Sequence, residues 1–364
     1  MRVATCTVAT SLRIIRKKIQ KCCRTVNSKV PIRNQHATEF QRGECGMVEA
    51  MRRSDHDNGG ARGVMLSFDV EDWNRIMGAR VGQIDGPAQS AAFERQMQAI
   101  FELLDQTGWK ATFFLLGTTL ERHPEIAREI ARRNDEIASH GYRHEPVYRM
   151  SPDAFRRDLE KSIEIIDKFC GKRPLGYRAP YFSINRDCVW AYELIAELGF
   201  VYDSSQYDSP WVHRRLKDIP TEPYRLRLPS GRDLIEMPLS VWKMRRMTIP
   251  IGGGSYWRVL PKSFLALGLR ESSRNTSPSA LYFHPYECDP DALHLDPDAS
   301  ATGFQHFLAA YWNIRFNVAR RWLLPRIRQV LSHFEVTTYI QTVQRIRPPH
   351  EIVQRRLSCE GWVD

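Results

Sequence analysis

Three acids fall within four residues in the string LSFDVEDW: Asp69, Glu71 and Asp72. Carboxylates this close repel one another unless a cation or a proton lies between them. One carboxylate on a metal with a neighbour acting as base meets that requirement; a solvated acidic loop or a helix cap is the bland alternative. His140 and His144 stand four apart in HGYRH, a spacing that lets two imidazoles reach one zinc ion at roughly 2.0–2.1 Å when the chain turns tightly, and Gly141 permits the turn. Arg178 precedes Ala179-Pro180, where proline holds the backbone extended, so its guanidinium is placed to clamp a carboxylate in a bidentate pair. His284 ends an apolar run just before Pro285, where it is a candidate proton donor to a leaving group.

A second group of candidates would hold substrate. Gly252-Gly253-Gly254 is followed by Tyr256 and Trp257. Neither the lysine nor the spacing of a phosphate loop is present. An exposed glycine-rich backbone flanked by aromatics suits a stacked sugar ring; a plain surface turn is the competing account. Trp73 and Trp211 are candidates to line the same groove.

These residues need a frame that brings them together. From Val64 onward, short apolar runs alternate with amphipathic stretches. Strands are expected at 64–68, 111–116, 136–139, 176–178, 200–203, 234–237 and 281–284. Helices are expected at 91–104, 120–132, 152–169 (N-capped by Ser151) and 186–198. A long helical region over 304–330, broken at Pro325, and a strand over 336–340 follow. Such alternation implies right-handed βαβ units and a parallel sheet; about seven strands in one pattern imply a closed or nearly closed barrel. Active sites of such folds lie at the C-terminal ends of the strands, and the acids, the histidines and Arg178 all fall there.

Composition narrows the function. The chain has 364 residues, 42% hydrophobic and 26% charged, which excludes wholesale disorder, and no stretch approaches the roughly 18 uninterrupted apolar residues of a membrane span. The net charge of +11 looks like a signal of nucleic acid, but residues 1–63 hold thirteen Lys/Arg against five Asp/Glu, a net of +8, which leaves +3 for the rest. We therefore expect no specific nucleic-acid partner. The organisation expected is a basic, disordered extension over 1–63, a catalytic domain over 64–345 and a C-terminal tail over 346–364. Of eight cysteines, Cys6, Cys22, Cys23 and Cys45 lie in the extension without zinc-finger spacing, and the scattered Cys170, Cys188, Cys288 and Cys359 suit reduced thiols. Val3–Leu12 is too interrupted by Thr and Ser for the core of an export signal, and the expectation is a cytoplasmic protein.

The strings SFDVEDW, HGYRHEPVYRMSP, GYRAPYFSI, GFVYDSS, IGGGSYWRVLP and FHPYECDP, in this order, resemble the polysaccharide deacetylase family with the NodB-homology domain, in particular its branch at bacterial exopolysaccharide loci. The resemblance covers roughly residues 64–345 and implies a distorted (β/α)7 barrel. It further implies a metal-dependent hydrolase that removes N-acetyl groups from amino sugars of a surface polysaccharide, an exopolysaccharide or its precursor. Asp69 matches the catalytic base, Arg178 the residue that orients it, the backbone N–H of Tyr181 the oxyanion donor and His284 the general acid. His140 and His144 match two ligands of a divalent metal, zinc first, with cobalt or iron as alternatives. The usual pair of adjacent aspartates is broken here by Val70, so the third ligand is Glu71, with Asp72 as second choice. Gly141 replaces the usual Ser or Thr after the first histidine, which removes one loop-stabilising hydrogen bond. Asp203 and Glu236 are both candidates to orient His284. Two alternatives stand beside this expectation: hydrolysis of small cyclic amides or ureides at the same centre, and a catalytically silent glycan-binding barrel.

Overall fold

The computed structural model describes residues 63–83, 87–209, 212, 216, 218–244, 247–273, 277–289, 291–346, 353–358 and 361–363. The expected N-terminal extension and Trp211 lie outside these residues.

Strand β1 (Gly63–Val70) is buried along nearly its whole length, as its unbroken apolar run predicts for a strand covered on both faces. It pairs in parallel with β2 (Thr112–Leu115), and the sheet continues in parallel through β3 (Glu136–Ser139), β4 (Gly176–Tyr177), β5 (Tyr202–Asp203) and β7 (Asp233–Glu236). On its other side β1 pairs in parallel with β10 (Ser279–Phe283). These seven strands form a distorted (β/α)7 barrel. Beyond β7 the sheet runs on through antiparallel β6 (Tyr224–Arg227) to β12 (Val353–Ser358) and β13 (Gly361–Val363), so part of the expected tail adds strands to the sheet.

No ladder joins β7 to β10 directly. The gap is closed by Ser240, whose N–H donates to Ala280 O at 3.2 Å while its Oγ accepts from Ala280 N at 2.7 Å, and by the glycine run. Tyr282 N donates to Gly252 O at 2.7 Å and Gly254 N to Tyr282 O at 3.2 Å. Gly253 has φ +134° and a Cβ there would collide with Tyr282 O. The glycines are needed for this close approach of two backbones.

Several helices differ from expectation for identifiable reasons. The helix expected over 120–132 is two, α3 (Gly117–Arg122) and α4 (Pro124–Arg132), because Pro124 cannot continue a helix but suits a first turn. In the C-terminal region α10 (Gly303–Asn317) and α11 (Leu323–Leu331) are separated at Val318–Trp322, where Ala319 is left-handed at φ +54°; Pro325 sits harmlessly in the first turn of α11. The strand expected over 336–340 is shorter, β11 (Glu335–Thr337), and gives way to α12 (Tyr339–Arg345). The remaining helices used below are α1 (Trp73–Arg80), α2 (Pro87–Thr107), α5 (Pro152–Cys170), α6 (Ala191–Glu197), α7 (Ser255–Val259), α8 (Lys262–Ser272) and α9 (Pro285–Cys288).

Candidate metal centre

Four strand ends converge. Asp69 and Glu71 leave β1, His140 follows β3, Arg178 follows β4 and His284 follows β10. His140 Nε2 lies 2.7 Å and His144 Nε2 2.9 Å from the same atom, Glu71 Oε1, and His284 Nε2 lies 3.9 Å from it. All four side chains are largely buried.

The hydrogen bonding shows what this cluster lacks. His140 Nδ1 is 2.8 Å from the backbone oxygen of Arg178. A carbonyl oxygen only accepts, so Nδ1 carries a proton and Nε2 is the ring nitrogen turned to the Glu71 carboxylate. Glu71 Oε2 and His144 Nδ1 are buried without a hydrogen-bond partner, and His144 Nε2 meets only Glu71 Oε1. Burial alone would raise the Glu71 carboxyl, but His144 and His140 beside it hold it well below the usual carboxylate range. Converging imidazole and carboxylate lone pairs with orphaned buried atoms are the donor set of a divalent cation, and Glu71, His140 and His144 fit one.

The turn that carries the histidines is held from an unexpected side. Gly141 is left-handed at φ +77° and His144 at φ +61°. Asp158, on α5, accepts from Tyr142 N at 2.8 Å and Arg143 N at 3.1 Å, and Gly141 N donates to Ser139 Oγ at 3.1 Å. These bonds hold the turn with Gly141 at the position after His140. One of five acids on an amphipathic helix, Asp158 gave no signal of this in the sequence.

Asp69 is buried beside Glu71 and His284, with carboxylate and ring-nitrogen atoms of the three within 4.8 Å of one another. Arg178, fully buried, donates from Nη1 to Asp69 Oδ1 at 2.5 Å and to Ser67 Oγ at 2.9 Å. The pair is single-pointed and not the bidentate clamp expected, because Nη2 is turned to Tyr339 OH at 2.7 Å and Ser204 Oγ at 3.1 Å, and Nε to Ser204 O at 3.3 Å. The guanidinium also lies 3.8 Å over the Phe114 ring, an arrangement that fixes it.

Three expectations need correction. Asp72 is turned away from the cluster: it N-caps α1, accepting from Arg75 N at 3.2 Å, so Glu71 is the carboxylate that joins the histidines. Neither Asp203 nor Glu236 touches His284. Its partner is Glu287, one turn along α9, whose Oε2 is 3.1 Å from His284 Nδ1 and also accepts from His284 N. Burial opposes the charged ring, but this hydrogen bond, with Glu71, Glu287 and Asp69 nearby, pushes His284 up to about 9. The i,i+3 spacing in HPYE could have revealed Glu287 once a helix start at Pro285 was recognised. Trp257 is fully buried, edge-on to Phe283 at 5.2 Å, with Nε1 donating to Ile251 O; it has no face to offer a sugar. Tyr256 follows the closure seam.

The open surface lies elsewhere. A cleft of about 570 Å³ opens beside His144 and is lined by Arg80, Tyr148, Arg149, Tyr181 and Phe182 among others. Tyr181 and Phe182 both have positive φ, +58° and +51°, backbone strain of the kind found at functional sites. The Tyr181 ring packs 4.5 Å from His144 and its hydroxyl accepts from Arg80 Nη2 at 2.7 Å. Trp73 is edge-on to His284 at 5.9 Å and packs against Tyr286 and Phe316.

Comparison with known proteins gives two family matches, polysaccharide deacetylase over residues 58–201 and a domain of unknown function over 204–344. A peptidoglycan deacetylase-like protein of Gibberella zeae is 35% identical over 108 residues, 29% of this chain and 31% of that protein. The peptidoglycan-N-acetylglucosamine deacetylase of Bacillus cereus is 36% identical over 95 residues, 26% and 34% respectively. The chain thus spans about a third of the length of these relatives. A chitooligosaccharide deacetylase of Bradyrhizobium is 27% identical over 174 residues, 47% of this chain and 70% of that one. Among solved structures, a polysaccharide deacetylase from Mycobacterium smegmatis, described as putative, superposes with a TM-score of 0.57 at 23% identity, covering 83% of this chain and 95% of its own. An allantoinase gives 0.51 at 18%, covering 82% and 96%. At such identities these two structures speak for the fold alone.

Proposed function

The chain carries a polysaccharide deacetylase domain, and from that premise we propose that it hydrolyses the N-acetyl group of an amino sugar in a bacterial surface or secreted polysaccharide or its precursor. The observation that carries this reading is the meeting of His140 and His144 on one Glu71 oxygen, with the Asp69–Arg178 pair and His284 on either side. Relatives named as deacetylases of peptidoglycan and chitooligosaccharide support the reaction class. The second matched domain, which occurs in deacetylases of exopolysaccharide loci, supports the substrate class.

Glu71, His140 and His144 would hold the divalent ion, and the mixed donor set suits zinc, cobalt or iron. Bound there, such an ion polarises an amide carbonyl and makes water more acidic. The remaining steps belong to the chain. Asp69, fixed by Arg178, takes a proton from water as its oxygen bonds to the carbonyl carbon. The backbone N–H of Tyr181 donates to the developing oxyanion, a contribution of roughly 3–4 kcal/mol for one placed donor. His284, held protonated by Glu287, gives its proton to the amide nitrogen as the C–N bond breaks, leaving acetate and a free amine.

The alternative substrate class, a small cyclic amide or ureide, suits an enclosed pocket. Here the space beside His144 is an open cleft faced by Tyr148, Tyr181 and Phe182, a shape and lining for successive sugar rings. Acetate release from N-acetylated oligosaccharides by metal-loaded protein tests the proposal. Release that is absent with every amino sugar, together with ring opening of small ureides, would replace it by the alternative.

A further inference from the structure

Large apolar side chains are exposed in one segment far more than elsewhere. Phe304, Phe307 and Ile314 on α10 are 68%, 65% and 72% exposed, and Val318 and Trp322 beyond its end 49% and 52%. Phe304, Phe307, Tyr311, Ile314 and Val318 follow spacings of three, four, three and four, which place side chains in one stripe along a helix. The opposite face of α10 is satisfied: Ala309 and Phe316 are buried, Trp312 stacks on Phe316 at 5.0 Å, and Phe316 packs on Trp73. A patch of this size, left in water on a folded domain, marks a docking surface.

Charge selects the occupant. From residue 299 to 334 there is no Asp or Glu, while Arg315, Arg320, Arg321, Arg326 and Arg328 all fall within that stretch. Arg320 is buried, Arg326 is engaged with Trp257 O and Leu260 O, and Arg328 donates to Gln106 Oε1, which leaves Arg315 and Arg321, each over a tryptophan ring at 5.0 Å. A second copy would set these cations against their own kind. An anionic lipid surface instead receives the aromatic stripe at the headgroup boundary and pairs with the arginines. No described helix is long and apolar enough to cross a membrane, so the association is with the surface.

We propose that the Phe304–Trp322 face docks the protein onto an anionic bilayer. Because α10 backs onto Trp73, which lies edge-on to His284, the catalytic mouth would then sit close to that surface. The inference is independent of the reaction assigned to the site.

The test is vesicle co-sedimentation of the full chain with phosphatidylcholine alone and with added phosphatidylglycerol, for wild type, Phe307→Ser/Ile314→Ser and Arg315→Gln/Arg321→Gln, with light scattering for oligomeric state. The expected result is partition onto the phosphatidylglycerol vesicles that weakens about tenfold or more in the apolar double variant and severalfold in the arginine variant, with thermal unfolding of both variants unchanged. Wild-type partition in the apolar variant would place binding elsewhere in the chain, such as the basic cluster Arg13–Lys21, and overturn the proposal. A concentration-dependent dimer that the Phe307/Ile314 substitutions dissolve would overturn it in favour of a second copy.

Discussion

Two clusters of buried acids lie at strand ends of the same barrel, and they differ in how their oxygens are satisfied. In one, Glu71 Oε1 faces two imidazole nitrogens, while Glu71 Oε2 and His144 Nδ1 have no hydrogen-bond partner. In the other, Asp203 ends β5 and Glu236 ends β7. Asp203 accepts from Ser205 N at 2.9 Å and Ser205 Oγ at 2.8 Å, and Glu236 from Gln206 N at 3.0 Å. Glu236 Oε2 lacks a conventional donor, but burial and the neighbouring Asp203 push this carboxyl far up. A proton between the two acids completes that cluster. The first instead gathers two imidazoles on one carboxylate beside an open cleft, where a cation would complete it. Burial and proximity of acids are common to both; the unmet demand for a cation separates them.

The sharpest break between the clusters is metal. Glu71→Gln or His140→Ala should lose bound metal, read by elemental analysis after dialysis, and with it all measurable acetate release. Asp69→Asn should keep the metal and lose turnover by about a thousandfold, the scale of a general base. A metal-free Asp69→Asn would move that residue from base to ligand.

Glu287 tests how far the first cluster extends. Its hydrogen bond is the largest influence raising His284, with the Glu71 and Asp69 carboxylates adding to it; a general acid works only while protonated, so activity should fall on the alkaline side as this ring loses its proton. Glu287→Gln removes the negative partner, lowers the pKa and moves the alkaline limb of kcat/KM to lower pH, with a loss of about tenfold near pH 8. An unshifted limb would mean that the limb does not report His284.

What the sequence could show follows from the same contrast. Asp69, Glu71, His140, His144, Arg178 and His284 were legible because strand ends in a parallel barrel meet, and local spacing alone places each residue at such an end. The partners that hold them were not. Ser204 and Tyr339 reach Arg178 from 26 and 161 residues away, and Asp158 reaches the histidine turn from within α5; no periodicity encodes those distances. Asp203 and Glu236 looked suitable for His284 because acids at strand ends looked alike in sequence. The glycine run was misplaced for a related reason: a close backbone approach and a ligand cradle need the same residue type, and only Tyr282 lying across Gly253 distinguishes them.

The smallest effect expected is at the second cluster. Asp203 is raised from 3.8 to about 6, so the folded state takes up a proton that the unfolded chain lacks between about pH 4 and 6. By linkage this contribution stabilises the fold at low pH and is lost as pH rises through 6. Asp203→Asn removes this titration together with the charge that raises Glu236, so the variant's Tm relative to wild type should rise with pH across that window. Its bound metal should be unchanged and its acetate release within about threefold of wild type, as for a substitution outside the reacting groups. Metal loss in this variant would instead join the two clusters into one site, and the proton that separates them would no longer do so.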